Sequence, residues 1–427
     1  MSPSTLSLVF AALVLVWLAA QLWLLTRQMR HVAQHRAQVP PAFVGTVTLQ
    51  AHQKAADYTI AKGRMGLLAV AFNAAVLLGW TLLGGLDELN GLLRDVVQPR
   101  FGDMAYQLAL LAAFTLIGAL LELPFELYGT FVVEQRFGFN RVTPALFATD
   151  WLKGLLVAAL IGLPLAALIL WIMGALGAQW WIWAWVAWVA FNVVLLVLYP
   201  TVIAPMFNRF QPLADEALKD RVQALMQRCG FAAKGLFVMD GSRRSAHGNA
   251  YFTGLGAAKR VVFLDTLLSR LTPGEVEAVL AHELGHFRHR HVHKRMVAIF
   301  AASGLGLAVL GALYGQAGFY QALGVQPNLA SSNAALALLL FGLVLPPVMF
   351  FVTPLASLLS RRHEFEADAY ACAQADGRDL AQALLKLHED NATPLPPDPV
   401  YVRFYYSHPP ASERLAALAA HARPAPA

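Results

Sequence analysis

The chain is short of charge. Asp, Glu, Lys and Arg make up 14% of its 427 residues, whereas a typical soluble domain carries about 25%. Hydrophobic residues make up 58%, and the mean hydropathy is +0.53. A soluble protein needs polar residues to cover its surface, and a disordered chain needs still more of them. The composition therefore excludes both classes and indicates an integral membrane protein.

Cysteine is also scarce. Cys229 and Cys372 do not form a C-x-x-C pair, and two cysteines cannot build a disulfide framework. The net charge of +6 is compatible with a nucleic-acid partner. Cytoplasmic loops of membrane proteins also collect Lys and Arg, however, and the distribution of cations favours that explanation, so we expect no nucleic-acid partner. Arginine outnumbers lysine by 24 to 8, which suggests a GC-rich bacterial source.

Seven stretches are long and apolar enough to cross a bilayer, which takes ~20 helical residues. They lie near residues 6–25, 66–86, 104–121, 154–175, 181–199, 297–315 and 335–357. No Lys or Arg precedes the first stretch, and Arg27, Arg30 and Arg36 follow it. An uncleaved anchor with the N-terminus outside therefore fits better than a secretory signal.

The positive residues indicate which loops face the cytoplasm. With the N-terminus outside, the cytoplasmic segments are 26–65, 122–153, 200–296 and the tail from 358. Of the 32 Lys and Arg residues, only Arg94 and Arg100 then lie outside. Because cytoplasmic loops are enriched in positive residues, we predict this orientation in a bacterial inner membrane, with the C-terminus in the cytoplasm.

Two hydrophilic blocks can fold together as one cytoplasmic domain. We predict an all-α membrane protein with a small α/β cytoplasmic domain, divided into residues 1–199 with five transmembrane helices, 200–296, 297–357 with two more, and 358–427. In the first hydrophilic block, Tyr251–Leu255 and Arg260–Leu264 are typical of two short strands joined by a turn at 256–259.

A strong helix start follows the predicted strands. Thr272 is a good N-cap, Pro273 suits the first helical position, and Glu275 completes a capping box. We expect this helix to contain His282–His286 and to continue through residue 296 into the sixth span.

The segment His282–His286 reads H-E-x-x-H. Positions four apart share a helix face, so both imidazoles can bind one Zn²⁺ while Glu283 points at an open ligand position. Zinc lowers the pKa of a water towards ~7, and an adjacent carboxylate can accept its proton as the water attacks a carbonyl. The motif therefore predicts zinc-dependent hydrolysis.

A catalytic zinc needs a third protein ligand. The segment after the seventh predicted span offers three candidates: His363, Glu364 and Glu366. Glu364 shares a helix face with Asp368, which suits Asp368 as an acceptor that orients a ligand imidazole. The spacing favours Glu364 and leaves the other two open.

Three further histidines follow the motif, at His289, His291 and His293. His289 is near enough in sequence to reach the same ion, but a further nitrogen ligand would close the position that water needs. We interpret the three as part of a basic stretch at the membrane surface.

The combination of these motifs with seven spans resembles the type I CAAX prenyl proteases, a family of integral-membrane zinc endopeptidases. The similarity runs from about Leu123 to Leu418. It is carried by Pro124–Glu134, Phe137–Asn140, Tyr199–Pro200, Ile203–Asn208, His247–Phe252, His282–His286, Glu364–Asp368 and Ser407–Pro410.

The resemblance implies roles for several residues. It makes Glu364 the third ligand of one Zn²⁺ per chain, and it implies that the seven helices surround a chamber within the membrane. It gives His408 the role of donor to the oxyanion of the tetrahedral intermediate. It also places Arg414 near the substrate.

The resemblance further implies that Asn249, Ala250 and Tyr251 form a substrate-binding edge. An edge strand can hold an extended peptide through main-chain hydrogen bonds. We therefore expect a peptide or protein substrate, including lipidated ones, presented at the lipid bilayer.

The sequence predicts a zinc metalloendopeptidase that acts on membrane-associated or CAAX-like peptides. Two alternatives remain open: a quality-control protease for membrane proteins, and a scaffold or transporter that uses zinc structurally. A structural zinc has four closed ligands and no need for Glu283.

The predicted topology can be tested with reporter fusions. A reporter after residue 120 or at the C-terminus should report the cytoplasm, and one near residue 95 should report the outside, because cations collect on the cytoplasmic face. A cytoplasmic signal at residue 95 would contradict the assignment.

Overall fold

A computed structural model of the chain describes residues 2–231, 235–248, 250–253, 260–328 and 331–421. Most of them are helical. The helices are α1 (Pro3–His35), α2 (Leu49–Trp80), α3 (Gly85–Tyr128), α4 (Pro144–Ala175), α5 (Trp180–Leu198), α6 (Ala204–Phe207), α7 (Glu216–Arg228), α8 (Asp265–Leu268), α9 (Pro273–Arg288), α10 (His291–Leu313), α11 (Ala317–Ala322), α12 (Ala334–Phe350), α13 (Thr353–Gln374), α14 (Gly377–Asp390), α15 (Pro399–Tyr405) and α16 (Ala411–His421).

Six helical segments are long and apolar enough to span a membrane, and α12 with α13 supplies a seventh if the two count as one span bent by 62°. The chain is therefore a multi-pass membrane protein, as predicted. The fifth segment runs on through a π-helical turn to Phe207, so the helical part extends beyond the predicted boundary at residue 199.

Few residues in the central parts of the spans are fully buried. In the most apolar 18-residue window of each of the six, only 6–17% of the residues are buried. This low buried share is compatible with helices arranged around an interior space.

The described strands form one small sheet of β1 (Phe210–Pro212), β2 (Leu236–Met239), β3 (Ala250–Thr253) and β4 (Arg260–Leu264) in the order β1-β2-β4-β3. β2 and β4 are parallel, and the outer two strands pair antiparallel. β4 has the predicted bounds, and β3 lies at one edge. The predicted turn at 256–259 lies outside the described residues.

The sheet and helices α7, α9 and α14 enclose the core of the soluble domain. Leu225, Phe263, Leu284 and Ala383 are almost completely buried in this core. The apolar face of α9 packs into this core. The opposite face of the helix can therefore present polar groups to a functional site.

Ion pairs and hydrogen bonds join the soluble domain to the membrane helices. Asp398 is 2% exposed. It lies 2.9 Å from Arg27 Nε of α1 and caps α15 by accepting from Val400 and Tyr401 N–H. Burial alone would raise the pKa of Asp398, but these three donors hold it below its ordinary value. The carboxylate is therefore charged at neutral pH and stabilises the folded state there; this contribution is lost as the pH falls through the lowered pKa.

The expectation that the helix containing His282–His286 continues to residue 296 is wrong. α9 ends at Arg288, and Arg290 adopts a left-handed conformation with φ 56°. The chain turns there and begins α10 at His291. The basic stretch therefore contains a sharp turn that the helical pattern did not reveal.

α9 and α13 pack with their backbones unusually close. A Cβ added at Gly285 would lie 2.8 Å from Ala367 Cα and 3.0 Å from its carbonyl oxygen. Ala367 itself is completely buried. Glycine at 285 and a small residue at 367 thus allow the two helices to approach, and this approach brings the motif on α9 to α13.

Gly285→Ala should therefore destabilise the protein by about 1–3 kcal/mol, as overpacking does in other cores. Gly162→Ala is the matched control, because nothing lies within 4 Å of a Cβ at that helical position. Thermal unfolding in detergent should show a lower midpoint for the first variant only. Equal unfolding midpoints would mean that α9 and α13 can move apart without a measurable loss of stability.

Candidate metal centre

α9 presents two histidines on one face, one helical turn apart. The helix begins at the predicted capping box, in which Thr272 Oγ1 accepts from Glu275 N–H and Glu275 Oε2 accepts from Thr272 N–H. His282 Nε2 and His286 Nε2 lie 3.2 Å apart. Both nitrogens therefore face one point.

α13 brings Glu364 to that point. Its Oε2 lies 3.5 Å from His282 Nε2, and its Oε1 lies 3.3 Å from His286 Nε2. Glu364 is 3% exposed, so a negative charge is buried beside two imidazoles. Two nitrogens and one carboxylate thus converge from different parts of the chain.

This arrangement fits a zinc ion. Ligand atoms 2.0–2.1 Å from a tetrahedral zinc lie ~3.3–3.4 Å from one another, and the three separations here are 3.2–3.5 Å. Glu364 Oε2 is buried and has no hydrogen bond among the described residues, so a cation would satisfy it. Two imidazoles and one carboxylate are also a ligand set that catalytic zinc sites use, with a position left open.

Asp368 and Arg414 orient His282. Asp368 Oδ1 accepts a hydrogen bond from His282 Nδ1 at 2.8 Å, which leaves Nε2 to face the ion position. Arg414 binds the same carboxylate through Nε at 2.8 Å and Nη2 at 2.5 Å. Asp368 is 2% exposed and Arg414 8%, so this chain of contacts is sealed from water.

The charge around His282 also favours a cation. Burial would lower its pKa, but the carboxylates of Asp368 and Glu364 raise the pKa to about 9. Surroundings that stabilise a proton on a buried imidazole stabilise a metal ion at the same point for the same electrostatic reason.

The other two predicted catalytic residues, Glu283 and His408, are next to metal-ligand candidates, Glu283 in sequence and His408 in space. Glu283 follows His282 on α9 and is partly exposed, and no side-chain hydrogen bond engages its carboxylate within the described part of the chain. His408 Nδ1 is 2.7 Å from Glu364 Oε2, without hydrogen-bond alignment, and its side chain is 65% exposed. Both groups are therefore accessible to a substrate.

The structure separates the other candidates for the third ligand from the centre. Glu366 Oε2 accepts a hydrogen bond from His291 Nε2 at 3.0 Å, and Glu366 also binds Arg362. His363 stacks on His291, with ring centroids 3.9 Å apart. Of the three alternatives, the fold brings only Glu364 to the two nitrogens.

Sequence reasoning missed His291. We interpreted it as part of a basic surface stretch, but it is 3% exposed, and its Nδ1 lies 3.0 Å from His286 Nδ1. On a continuous helix, residues five apart differ by about 140° around the axis, so only the turn at Arg290 makes this contact possible.

The predicted substrate-binding residues have different outcomes. Asn249 lies outside the described residues. Ala250 and Tyr251 lie on β3, the edge strand, which packs against α9. Arg414, predicted to lie near the substrate, is buried and bound to Asp368. Its Nη1 lies 3.6 Å from Glu364 Oε2, so it is next to the candidate centre.

Two family models match the chain. Residues 28–209 match the CAAX prenyl protease N-terminal region, described as five membrane helices, and residues 212–422 match peptidase family M48. The two matches meet where the fifth long helix ends and the soluble domain begins.

Individual proteins are similar over nearly the whole chain. The CAAX prenyl protease 1 homolog of Arabidopsis thaliana is 32% identical over 392 residues, which cover 89% of this chain and 90% of that protein. CAAX prenyl protease 1 of Saccharomyces cerevisiae is 32% identical over 415 residues, covering 93% and 91%. The crystal structure of S. mikatae Ste24p superposes with a TM-score of 0.90 at 31% identity, covering 97% and 99%.

The choice of carboxylate can be tested by metal binding. Glu364→Gln should lose zinc affinity and activity together, because a neutral amide replaces the anionic ligand. Glu366→Gln, two residues away on the same helix, should keep most of both. Zinc titration of the two purified variants measures the difference, and the reverse pattern would show that Glu366 is the ligand.

Proposed function

We propose that this chain, which belongs to the CAAX prenyl protease family of M48 metalloendopeptidases, holds one zinc ion between His282, His286 and Glu364. We further propose that it hydrolyses membrane-associated peptides that end in CAAX-type sequences, with lipidated peptides among them. The names of the relatives suggest this substrate class. The observation that supports the reaction is the convergence of His282 Nε2, His286 Nε2 and the Glu364 carboxylate, with separations of 3.2–3.5 Å. One oxygen of that carboxylate, Oε2, is buried and makes no hydrogen bond among the described residues.

When bound, zinc polarises a peptide carbonyl and lowers the pKa of a water. Glu283 is suited to accept the proton of that water and to pass it to the leaving amine, because it is adjacent to His282 and partly exposed. Its carboxylate is not engaged by an ion pair among the described residues, so it is available to move a proton.

His408 is suited to stabilise the transition state. Its Nδ1 is within 2.7 Å of a ligand oxygen, so its N–H can reach an oxyanion that develops at the same centre. Such a donor acts mainly on charge that appears in the transition state.

The position of β3 supports a mode of substrate binding. β3 pairs with β4 on one side and lies at the sheet edge, beside the helix that carries His282 and Glu283. An extended peptide that adds along this edge can place its scissile bond over the metal centre. We assign Ala250 and Tyr251, with Asn249, to this role.

We also propose the location of the protein. The cation distribution supports a cytoplasmic soluble domain, formed by residues 200–296 and 358–427, in a bacterial inner membrane with the N-terminus outside. We also assign Arg414 to the positioning of His282 through Asp368; its place near the substrate stays a prediction.

The division of roles predicts different effects on metal content and rate. Glu283→Ala should keep stoichiometric zinc but lose about 10²–10⁴-fold in rate, because the base is not a ligand. His408→Phe should also keep zinc and lose about 10²–10³-fold in turnover, with a smaller change in KM because the donor acts on the transition state. Zinc content and cleavage of a farnesylated CAAX-type peptide measure both effects.

The unprenylated form of the same peptide is the substrate control. Equal cleavage of the two forms would favour a protease without C-terminal lipid specificity, such as a quality-control enzyme. Loss of zinc in Glu283→Ala or His408→Phe would indicate a four-ligand structural site. Full activity of His408→Phe would remove this residue from the mechanism.

A further inference from the structure

His291 has no role in the reaction described above, yet it is buried and fully engaged. It is the first residue of α10 and is 3% exposed. Its Nδ1 lies 3.0 Å from His286 Nδ1, and its Nε2 lies 3.0 Å from Glu366 Oε2. Its ring stacks on His363 at an interplanar angle of 11°. These contacts hold the imidazole in one orientation.

The protons on this chain of rings follow from the ligand role of His286. If His286 binds zinc through Nε2, its remaining ring proton is on Nδ1. That N–H donates to His291 Nδ1, which must be unprotonated to accept. The proton of His291 is then on Nε2, where Glu366 accepts it. A single arrangement of protons therefore gives a partner to each ring nitrogen of His286 and His291 and to the Glu366 carboxylate.

The two ligand histidines are thus supported in parallel ways. His282 donates its Nδ1–H directly to the carboxylate of Asp368. His286 donates to an imidazole, and that imidazole donates to the carboxylate of Glu366. In each case a carboxylate anchors a ligand, but for His286 it acts through one intervening ring.

We propose that His291 is a positioning residue for the zinc ligand His286, and that Glu366 anchors His291. This inference rests on the proposed function, since it requires His286 to be a ligand. By fixing the ring orientation and the tautomer of His286, the pair raises the affinity of the centre for zinc.

A second metal site is the main rival explanation. Ligand atoms of His289, His291 and Glu366 lie within 4.8 Å of one another. An ion there would take Nε2 of His291 and leave its proton on Nδ1, which would face the Nδ1–H of His286 at 3.0 Å. Two donors would then oppose each other without an acceptor, so the geometry favours positioning.

The direct test is the zinc affinity of His291→Phe. Phenylalanine keeps a ring that can stack on His363 but removes both nitrogens, so His286 Nδ1–H loses its acceptor. The full-length protein in detergent, stripped of metal and titrated with zinc against a competing chelator, should bind about 10–100-fold more weakly than wild type.

His289→Phe is the matched control. His289 stacks on His291 with ring centroids 5.5 Å apart, but it is exposed and has no contact with His286 in the described structure. Its zinc affinity should stay within about twofold of wild type, as for other surface substitutions. The two variants make the same chemical change, three and five positions after the last residue of the motif.

The role of Glu366 is tested by two single substitutions and by one double variant with His291→Phe. Glu366→Gln keeps an oxygen that can accept from His291 Nε2–H, so it should bind zinc nearly as wild type does. Glu366→Ala should bind more weakly. In the His291→Phe background, Glu366→Ala should cause no further loss, because Glu366 acts on the metal only through His291.

Unfolding of the metal-stripped protein separates positioning from packing. The midpoints of His291→Phe and wild type should agree within about 2 °C. Wild-type zinc affinity in His291→Phe, with or without a lower midpoint, would overturn the proposal. Two zinc ions per wild-type chain, with one lost in both His289→Phe and His291→Phe, would overturn it in favour of a second metal site.

Failure of the proposed function gives a different result. If His286→Ala and Glu364→Gln bind zinc as wild type does, the metal centre itself is wrongly assigned. If those two variants lose zinc affinity while His291→Phe does not, only the positioning role fails.

Discussion

Helices α9 and α13 meet with a glycine of one against the backbone of an alanine of the other, and the candidate centre depends on this contact. At Gly285 there is no room for a side chain, since an added Cβ would lie 2.8 Å from Ala367 Cα. The two helices carry the three ligand residues and the acceptor Asp368. A separation of even an ångström would open the ligand distances beyond those of a tetrahedral site.

Around this contact, the buried charges are arranged so that each has a partner. Arg414 neutralises Asp368, Asp368 orients His282, and His291 links His286 to Glu366. Buried polar networks of this kind are costly when one member is unsatisfied and rigid when all are satisfied. Glu364 Oε2 has cationic or imidazole groups nearby but makes no hydrogen bond among the described residues, and it lies where the metal is expected.

The centre is also tied to the membrane helices. Asp398 connects α1 to the N-terminus of α15, and the chain from α15 leads within three residues to His408. In the other hydrophilic block, Arg244 binds Asp150 of α4 at 2.9 Å. Two ion pairs thus tie different parts of the soluble domain to the membrane helices.

Local sequence patterns and residue spacing were sufficient to predict many features of the fold and of the candidate centre. Apolar length revealed the membrane spans, because the thickness of the bilayer sets a minimum run of residues. The capping box revealed the start of α9, and four-residue spacing placed His282 with His286 and Glu364 with Asp368. Each of these properties is decided by neighbours within a turn or two of the helix.

Tertiary structure decided which of these local groups meet. By sequence, His363, Glu364 and Glu366 are all candidate ligands. Residue spacing favours Glu364, the resemblance to a family implies it, and the packing of α13 brings it to the two nitrogens. The turn at Arg290 could not be predicted, since arginine has no preference for the left-handed region and a continuous helix suited the pattern. Because Arg290 adopts this conformation, His291 contacts His286 and does not lie at the surface. The burial of Arg414 likewise depends on its contact with Asp368, 46 residues away along the chain. Sequence by itself determines short-range geometry; long-range contacts depend on how helices distant in sequence pack, which the local pattern does not contain.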